Sequence, residues 1–389
     1  MRILTFLHSF EPGGVERDAL RLNAEWAKLG ADVRIVLGRR EGRLADEAPD
    51  LDYGVLQQGS RSTAAFETLW MIWKLPAAIR AIQPDILFCA GNTYSIVAVA
   101  MRLILGRECP PIVLKVSNDL QRRDLPAPMR RAYHLWLRVQ APAFTAIVAM
   151  AEPARAEVAQ VMRVPPSRVT VINNASVRQD DLDRFAAARD RVARDHSGRH
   201  FLAVGRLVAQ KNFALLLRAF ARIAREDDRL TLIGEGPHRS VLERLATTLG
   251  IATKIDMPGH INPLYDPFAR ADAFILSSDY EGLGVVVVEA LAAGVPVVAT
   301  DCCVNMPMLV EGAGFIVPIK DAVALGDAME RIKALPVDAS KMRARASGFS
   351  VETTAPDWIM LFDMLAVDWS GKEDSNLRPL PPEGSALPG

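Results

Sequence analysis

Two glutamates separated by seven residues, Glu281 and Glu289, enclose a glycine loop and the start of an apolar helix in the stretch Ser277-Ser-Asp-Tyr-Glu-Gly-Leu-Gly-Val-Val-Val-Val-Glu289. Glu281 falls in the loop, where a cleft would lie. Glu289 follows about two helical turns later among valines and alanines, where an unpartnered carboxylate is expensive to bury. A ribose diol would partner it, since a carboxylate accepts two hydroxyl hydrogen bonds; a neighbouring arginine would serve equally well. Upstream, Gly205-Arg206-Leu-Val-Ala-Gln-Lys211-Asn212 sets two cations on a strand-to-helix turn. Such a pair suits a diphosphate, with Arg206 as a planar fork and Lys211 as a point charge, against the alternative of two solvated surface charges. Near the N-terminus, Glu11-Pro-Gly13-Gly14-Val-Glu16 places two glycines before a helix. The N–H groups at such a helix start attract phosphate, although a Gly-Gly turn is also ordinary punctuation after a strand.

The elements that must position these residues follow one grammar. Ile3 to Leu7 is a continuous apolar run, Pro12-Gly13-Gly14 breaks it, Val15 to Leu29 has helical spacing, and Val33 to Leu37 is apolar again. This predicts a right-handed parallel βαβ unit. Further strands are expected at Ile86 to Cys89, Ile112 to Val116, Ala146 to Ala149 and Val169 to Ile172. Runs apolar at every position suit parallel strands covered on both faces, and so a doubly wound α/β domain. From about Asn174 to Arg199 the composition turns polar, as in a connector between domains. The opening pattern then recurs, with strands at Phe201 to Val204, Leu230 to Ile233, Ala273 to Leu276 and Val297 to Ala299. Two Rossmann-like halves in tandem imply a cleft between them, with ligands beyond the carboxyl ends of the strands. An amphipathic helix is expected at Ala355 to Asp368, and the Pro-, Gly- and Ser-rich stretch Gly371 to Gly389 reads as disordered.

Composition narrows the function classes. The 389 residues suffice for two domains, and 46 Lys+Arg against 46 Asp+Glu leave no net field to attract nucleic acid. The four cysteines, Cys89, Cys109, Cys302 and Cys303, include no C-x-x-C pair or metal-ligand spacing and fit a reducing cytoplasm. The N-terminus reads as a buried strand rather than a signal peptide, and no apolar run approaches the roughly 20 residues of a membrane span. The triplets Asp50-Leu-Asp52 and Asp181-Leu-Asp183 would suit a metal, but their polar surroundings read as solvated surface, so no catalytic metal is expected. Neither glycine loop carries the full dinucleotide pattern, which disfavours a nicotinamide oxidoreductase.

Gly13-Gly14 after the first strand, Gly205-Arg206 with Lys211-Asn212, Gly234-Glu-Gly-Pro237, Pro258-Gly-His260 and Glu281-x7-Glu289 together resemble the family-4 (GT4) retaining glycosyltransferases of the GT-B fold. The resemblance spans roughly residues 1 to 370 and is more specific in the second half. It implies an α/β protein of two Rossmann-like domains facing across a cleft, with a C-terminal helix returning to the first. The expected division is an acceptor-side domain at 1–180, a nucleotide-sugar-binding domain at 196–350, the returning helix at 351–370 and a disordered tail at 371–389.

The resemblance further implies sugar transfer from a UDP- or GDP-sugar, with retention and without metal or other cofactor, to a saccharide or polyprenyl-linked saccharide in cell-surface polysaccharide synthesis. Carried onto this chain, Arg206 and Lys211 would hold the donor diphosphate and stabilise the leaving group. Gly13, Gly14 and the amides of Gly284 and Val285 would complete the phosphate cradle. Glu281 would bind sugar hydroxyls, Glu289 the ribose, and the backbone of His260 and Ile261 would face the base. Many relatives carry a histidine after the strand equivalent to Ile112 to Val116, whereas this chain has Ser117-Asn118-Asp119. Asn118 can donate a hydrogen bond to a sugar but cannot act as a general base. His8 reads as a structural histidine. Two alternatives stay open, an epimerase of the same fold and a catalytically silent sugar-nucleotide-binding protein.

Between Gln121 and Gln140, five arginines face one aspartate among Leu125, Met129, Tyr133, Leu135, Trp136 and Leu137. The stretch suits either an anionic membrane surface or an ordinary amphipathic helix, and the membrane option fits a cytoplasmic protein held peripherally at the inner membrane face.

Overall fold

The apolar runs do become parallel strands. The computed structural model describes all residues except 12, 47, 57–65, 123–124, 193–197 and 378–389. Its first half alternates β1 (Arg2–Leu7), α1 (Gly14–Lys28), β2 (Asp32–Leu37), β3 (Asp52–Val55), α2 (Glu67–Ile82), β4 (Ile86–Cys89), α3 (Ser95–Leu105), β5 (Ile112–Lys115), α4 (Ala127–Gln140), β6 (Ala146–Ala149), α5 (Glu152–Met162) and β7 (Val169–Val171). These strands form one sheet in the order β3-β2-β1-β4-β5-β6-β7, every pairing parallel. After α6 (Gln179–Arg191) the pattern repeats through β8 (His200–Val204), α7 (Phe213–Ile223), β9 (Arg229–Ile233), α8 (Arg239–Thr248), β10 (Ile255–Gly259), α9 (Tyr265–Arg270), β11 (Ala273–Leu276), α10 (Val285–Ala292), β12 (Val297–Thr300), α11 (Met306–Val310) and β13 (Gly314–Val317). The second sheet, also parallel, has the order β10-β9-β8-β11-β12-β13. It is followed by α12 (Ala322–Arg331), α13 (Ala339–Ser347) and α14 (Val351–Leu377).

Three strands lacked a sequence signal: β3, β10 and β13. Each is a sheet edge, half-covered, so none carries a run of uniformly buried apolar residues. The polar connector is also more than a tether, because Leu182, Phe185 and Ala188 of α6 are buried. Phe185 stacks edge-on against Tyr265 and Phe268, which attaches α6 to the second sheet's helices.

The last helix returns to the first domain, as expected from the resemblance. Trp358 and Phe362 are fully buried against Trp26 of α1 and Phe88 of β4, with ring centroids 5.1 to 6.1 Å apart. One boundary differs: residues 371–377, read as the start of a disordered tail, continue α14. Extending a nucleated helix costs far less than starting one, and no proline intervenes before Pro379. The remaining tail, 378–389, lies outside the described residues.

The two chain crossings between domains run side by side. Val177 bridges Ser350, and Asn173 Nδ2 donates to Gly348 O at 3.0 Å. The first crossing is anchored on a buried group of polar side chains. Lys115 Nζ, 3% exposed, donates to Asp18 Oδ2 at 3.1 Å, Asn174 Nδ2 donates to the same oxygen at 2.7 Å, and Arg21 Nη1 donates to Ser176 O at 2.6 Å. Among the described residues no helix is long and apolar enough to cross a membrane.

Candidate active site

Each sheet reverses its strand order beside its first strand, between β1 and β4 and between β8 and β11. Loops leaving neighbouring strands in opposite directions open a crevice there, the usual ligand position in such sheets. At the second reversal, the loop after β8 supplies Gly205, Arg206 and a short 3₁₀ turn, Ala209–Lys211, and the loop after β11 supplies Ser277 to Gly284.

The two loops are stitched together tightly. Lys211 Nζ donates to Glu281 Oε1 at 2.6 Å, and Ser278 Oγ donates to the same oxygen at 2.7 Å. Ser277 Oγ donates to Lys211 O at 2.8 Å, the Asp279 N–H to Gln210 O at 2.8 Å, and Asn212 Nδ2 to Asp279 Oδ1 at 2.8 Å. Asn212 itself, in left-handed backbone (φ 44°), caps α7 by accepting the Leu215 N–H. The loop after β9 closes on the same turn: at Gly234 (φ 144°) a Cβ would fall 1.9 Å from Gly205 O, which only glycine avoids. So Lys211 and Glu281 stand in fixed positions before any ligand arrives.

Arg206, by contrast, is exposed and has no side-chain hydrogen bond or ion pair among the described residues. Gly284 caps α10 and Val285 opens it, so the helix start faces the same crevice with the Val285 and Val286 N–H groups, which have no intrahelical acceptor. Glu289, half-buried on α10, likewise has no side-chain hydrogen bond or ion pair among the described residues. Burial pushes its carboxyl up to about 7; the charges of Arg21 and Arg17 on α1 pull it down, and Asp181 adds a smaller upward push. The arginine alternative for Glu289 is therefore present only as a field. His260, exposed, and Ile261, half-buried, follow β10 directly, so their backbone lies at the outer end of the same row of strand ends.

The first domain approaches from across the cleft. Gly282, next to Glu281, packs so closely that a Cβ there would lie 2.4 Å from Ser117 O. Asn118, Gly282, Cys303 and Asn305 line a small cavity of about 20 Å³ at this contact, which places Asn118 beside the Glu281 loop. Gly13 caps α1 and Gly14 opens it, with nothing within 4 Å of where a Gly14 Cβ would stand. His8 follows β1 with its ring 4.8 Å from that of Tyr94, and burial, aided by Arg39, lowers its pKa.

One assignment changes. Asp181, read as solvated surface, accepts the Tyr265 hydroxyl at 2.6 Å and the Arg178 N–H at 3.2 Å, a helix-capping position near Glu289. Asp52 of the other triplet stays exposed, as read, and pairs with Arg34 on the sheet edge. The sequence reading also missed Ser278 as a partner of Glu281, for which the Ser278-x-x-Glu281 spacing was a signal. It missed Lys115 as well, a lysine closing the apolar run Ile112 to Leu114 and therefore in need of a buried acid.

Comparison with known proteins places this geometry. Residues 185–348 match the family profile described as glycosyl transferases group 1, and residues 12–175 match that of glycosyltransferase family 4. The lipopolysaccharide core biosynthesis glycosyltransferase LpsD of Rhizobium meliloti is 31% identical over 168 residues, 42% of this chain and 48% of the relative. A Campylobacter jejuni transferase that adds N-acetylgalactosamine to a diphospho-undecaprenol-linked saccharide is 33% identical over 147 residues, 37% of this chain and 38% of the relative. The chain thus spans half or less of the length of these curated relatives. Among solved structures, HepE of Anabaena in complex with UDP superposes with a TM-score of 0.74 at 18% identity, covering 94% of this chain and all of that one. Sucrose-phosphate synthase of Thermosynechococcus elongatus gives 0.77 at 18% identity, covering 94% and 99%.

Proposed function

We propose, from the premise that the chain belongs to the family-4 glycosyltransferases of the GT-B fold, that it moves a sugar from a nucleoside-diphosphate sugar to a saccharide or lipid-linked saccharide acceptor. The observation that carries this reading is the second crevice, where a pre-fixed Lys211–Glu281 pair, an unpaired Arg206 and an unpaired Glu289 line one row of strand ends. Arg206 and Lys211 bind the diphosphate, with the N–H groups at Gly284 and Val285 and at Gly13 and Gly14 closing around it. Glu281, one oxygen already held by Lys211 and Ser278, offers the other to sugar hydroxyls. Glu289 takes the ribose diol, and the backbone at His260 and Ile261 borders the base.

The reaction in this reading proceeds with retention. The bond from the anomeric carbon to the diphosphate oxygen breaks while the acceptor oxygen bonds to that carbon from the same face, and the acceptor proton passes to the departing phosphate oxygen. Lys211, held by Glu281, and the exposed Arg206 supply the charge that stabilises this leaving group, so the reading requires neither metal nor other cofactor. Asn118 steadies the acceptor or the sugar by a hydrogen bond. Two sequence relatives named for lipopolysaccharide core synthesis and for a diphospho-undecaprenol-linked acceptor support a cell-surface saccharide as product. Such an acceptor would bring the chain to the inner membrane face, with 121–140 as a contact.

The test is a thermal-shift and turnover screen of the purified chain with UDP-, GDP- and ADP-sugars, NAD as a control, with and without EDTA. A rise in Tm with one nucleotide-sugar family, unaffected by EDTA, is expected, and NMR of the product gives the anomeric outcome. A rise with NAD alone would overturn the assignment.

A further inference from the structure

The right-handed crossovers place α2, α3 and α4 side by side on one face of the first sheet, while α1 and α14 cover the other. The outer surface of the three-helix layer is unusually apolar. Leu103 is 78% exposed, Leu69 68% and Trp73 66%, with Ile104, Leu135 and Val139 also exposed. More than half of the large apolar side chains exposed among the described residues stand on these helices or at their starts. An apolar surface spread over three adjacent helices exceeds what a solvated domain normally leaves uncovered.

Charge identifies the occupant. The three helices carry six Lys and Arg against one acid, Glu67, in a chain with zero net charge. On the opposite face α14 carries four acids and no Lys or Arg over residues 351–369. Lys74 Nζ lies 3.9 Å over the Trp73 ring, so the cation and the exposed indole share one spot. Aromatic and aliphatic side chains interleaved with cations match an anionic lipid surface, where the rings enter the acyl boundary and the cations meet phosphates.

We infer that the first domain docks on an anionic bilayer through the outer face of the α2–α3–α4 layer, with α2 and α3 contributing as much as the 121–140 stretch. Each of these helices starts beyond the carboxyl end of a strand, at the cleft side. The bilayer therefore borders the cleft, and a lipid-linked saccharide reaches it without leaving the membrane. That orientation rests on the transferase reading; the docking itself does not.

The experiment is co-sedimentation of the full chain with vesicles of equimolar phosphatidylglycerol and phosphatidylcholine, against phosphatidylcholine alone. Binding is expected only to the anionic vesicles and is weakened by salt. The Leu69→Asp/Trp73→Asp and Leu103→Asp/Ile104→Asp variants lower vesicle affinity by about tenfold or more, as expected from removing two inserted side chains. Met360→Asp/Met364→Asp, on the equally exposed stripe of acidic α14, leaves it unchanged. Because all six substitutions sit on solvent-exposed positions, circular dichroism and the Tm shift with nucleotide-sugar confirm folding and separate failure of docking from failure of the donor assignment. Absent binding by the unaltered chain, equal binding by the α2 and α3 variants, or a dimer on gel filtration that these variants break would overturn the inference.

Discussion

At the reversal in the first sheet, the segments after β1 and β4 meet where the Tyr94 hydroxyl donates to Glu16 Oε1 at 2.5 Å; at the reversal in the second, those after β8 and β11 meet as Lys211 and Glu281. Around the first pair lie neutral polar atoms shielded from solvent and without hydrogen-bond partners among the described residues: His8 Nε2, Asn92 Nδ2 and Ser117 Oγ. Around the second lie the exposed guanidinium of Arg206 and the carboxylate of Glu289. One fold thus builds two crevices of different chemistry, the first suited to hydroxyl groups and the second to a diphosphate. A second pair of lysine–carboxylate contacts sharpens the point. Lys115–Asp18 is sealed at 3% and 9% side-chain exposure with Asn174 completing it, whereas Lys211–Glu281 keeps 16% and 10% and faces the cleft. The first holds structure; the second, in the proposed reading, holds a position for a ligand.

That contrast can be broken by substitution. The largest effect is expected for Lys115→Met, which leaves Asp18 buried without its cation and should cost about 3 to 5 kcal/mol of stability. Denaturant unfolding measures it. Lys211→Ala should instead lower turnover by about a hundredfold, roughly 2.7 kcal/mol of transition-state stabilisation, with a much smaller change in Tm. Equal losses of stability in the two variants would erase the distinction between the pairs.

A third effect concerns pH. Glu289 has an ordinary value of 4.5 and about 7 in the folded protein, so its contribution to stability is complete below 4.5 and is lost as pH rises through 7. Glu289→Gln should therefore flatten the stability profile between these values and exceed the unaltered protein above pH 7, by at most about 3 kcal/mol. Ribose hydroxyls favour the ionised carboxylate, so donor binding should tighten as pH rises across that window and release protons, which calorimetry in two buffers would detect; Glu289→Gln should lose that dependence. The smallest change belongs to Arg206→Ala, which should alter stability by less than about 0.5 kcal/mol while weakening nucleotide-sugar binding. A large Tm loss there would reveal a structural partner.

Most of the strands legible in the sequence were those buried on both faces, because a run such as Ile86 to Cys89 has no other use; the edge strand β7 was legible too, from its β-branched residues. The edge strands β3, β10 and β13 were not, since their half-exposed residues lack that signature. In the site, the cations and carboxylates stood out by type and spacing, but not that Lys211 and Glu281 bind each other across 70 residues. Nor could Asn174 be matched to Asp18, 156 residues away, before the fold brought them together. Periodicity reports which face of an element is covered, and only topology says by what.

The return of α14 has a consequence for synthesis. Trp26 and Phe88 emerge early from the ribosome, yet the rings that close over them, Trp358 and Phe362, come more than 250 residues later. The second domain has its strands in hand by Val317 and its last core residue by Phe349, before either of these rings has been made. The domain that is translated first waits longest with an apolar face uncovered, and a nascent-chain series should show its protease resistance arriving only after Phe362 has been made.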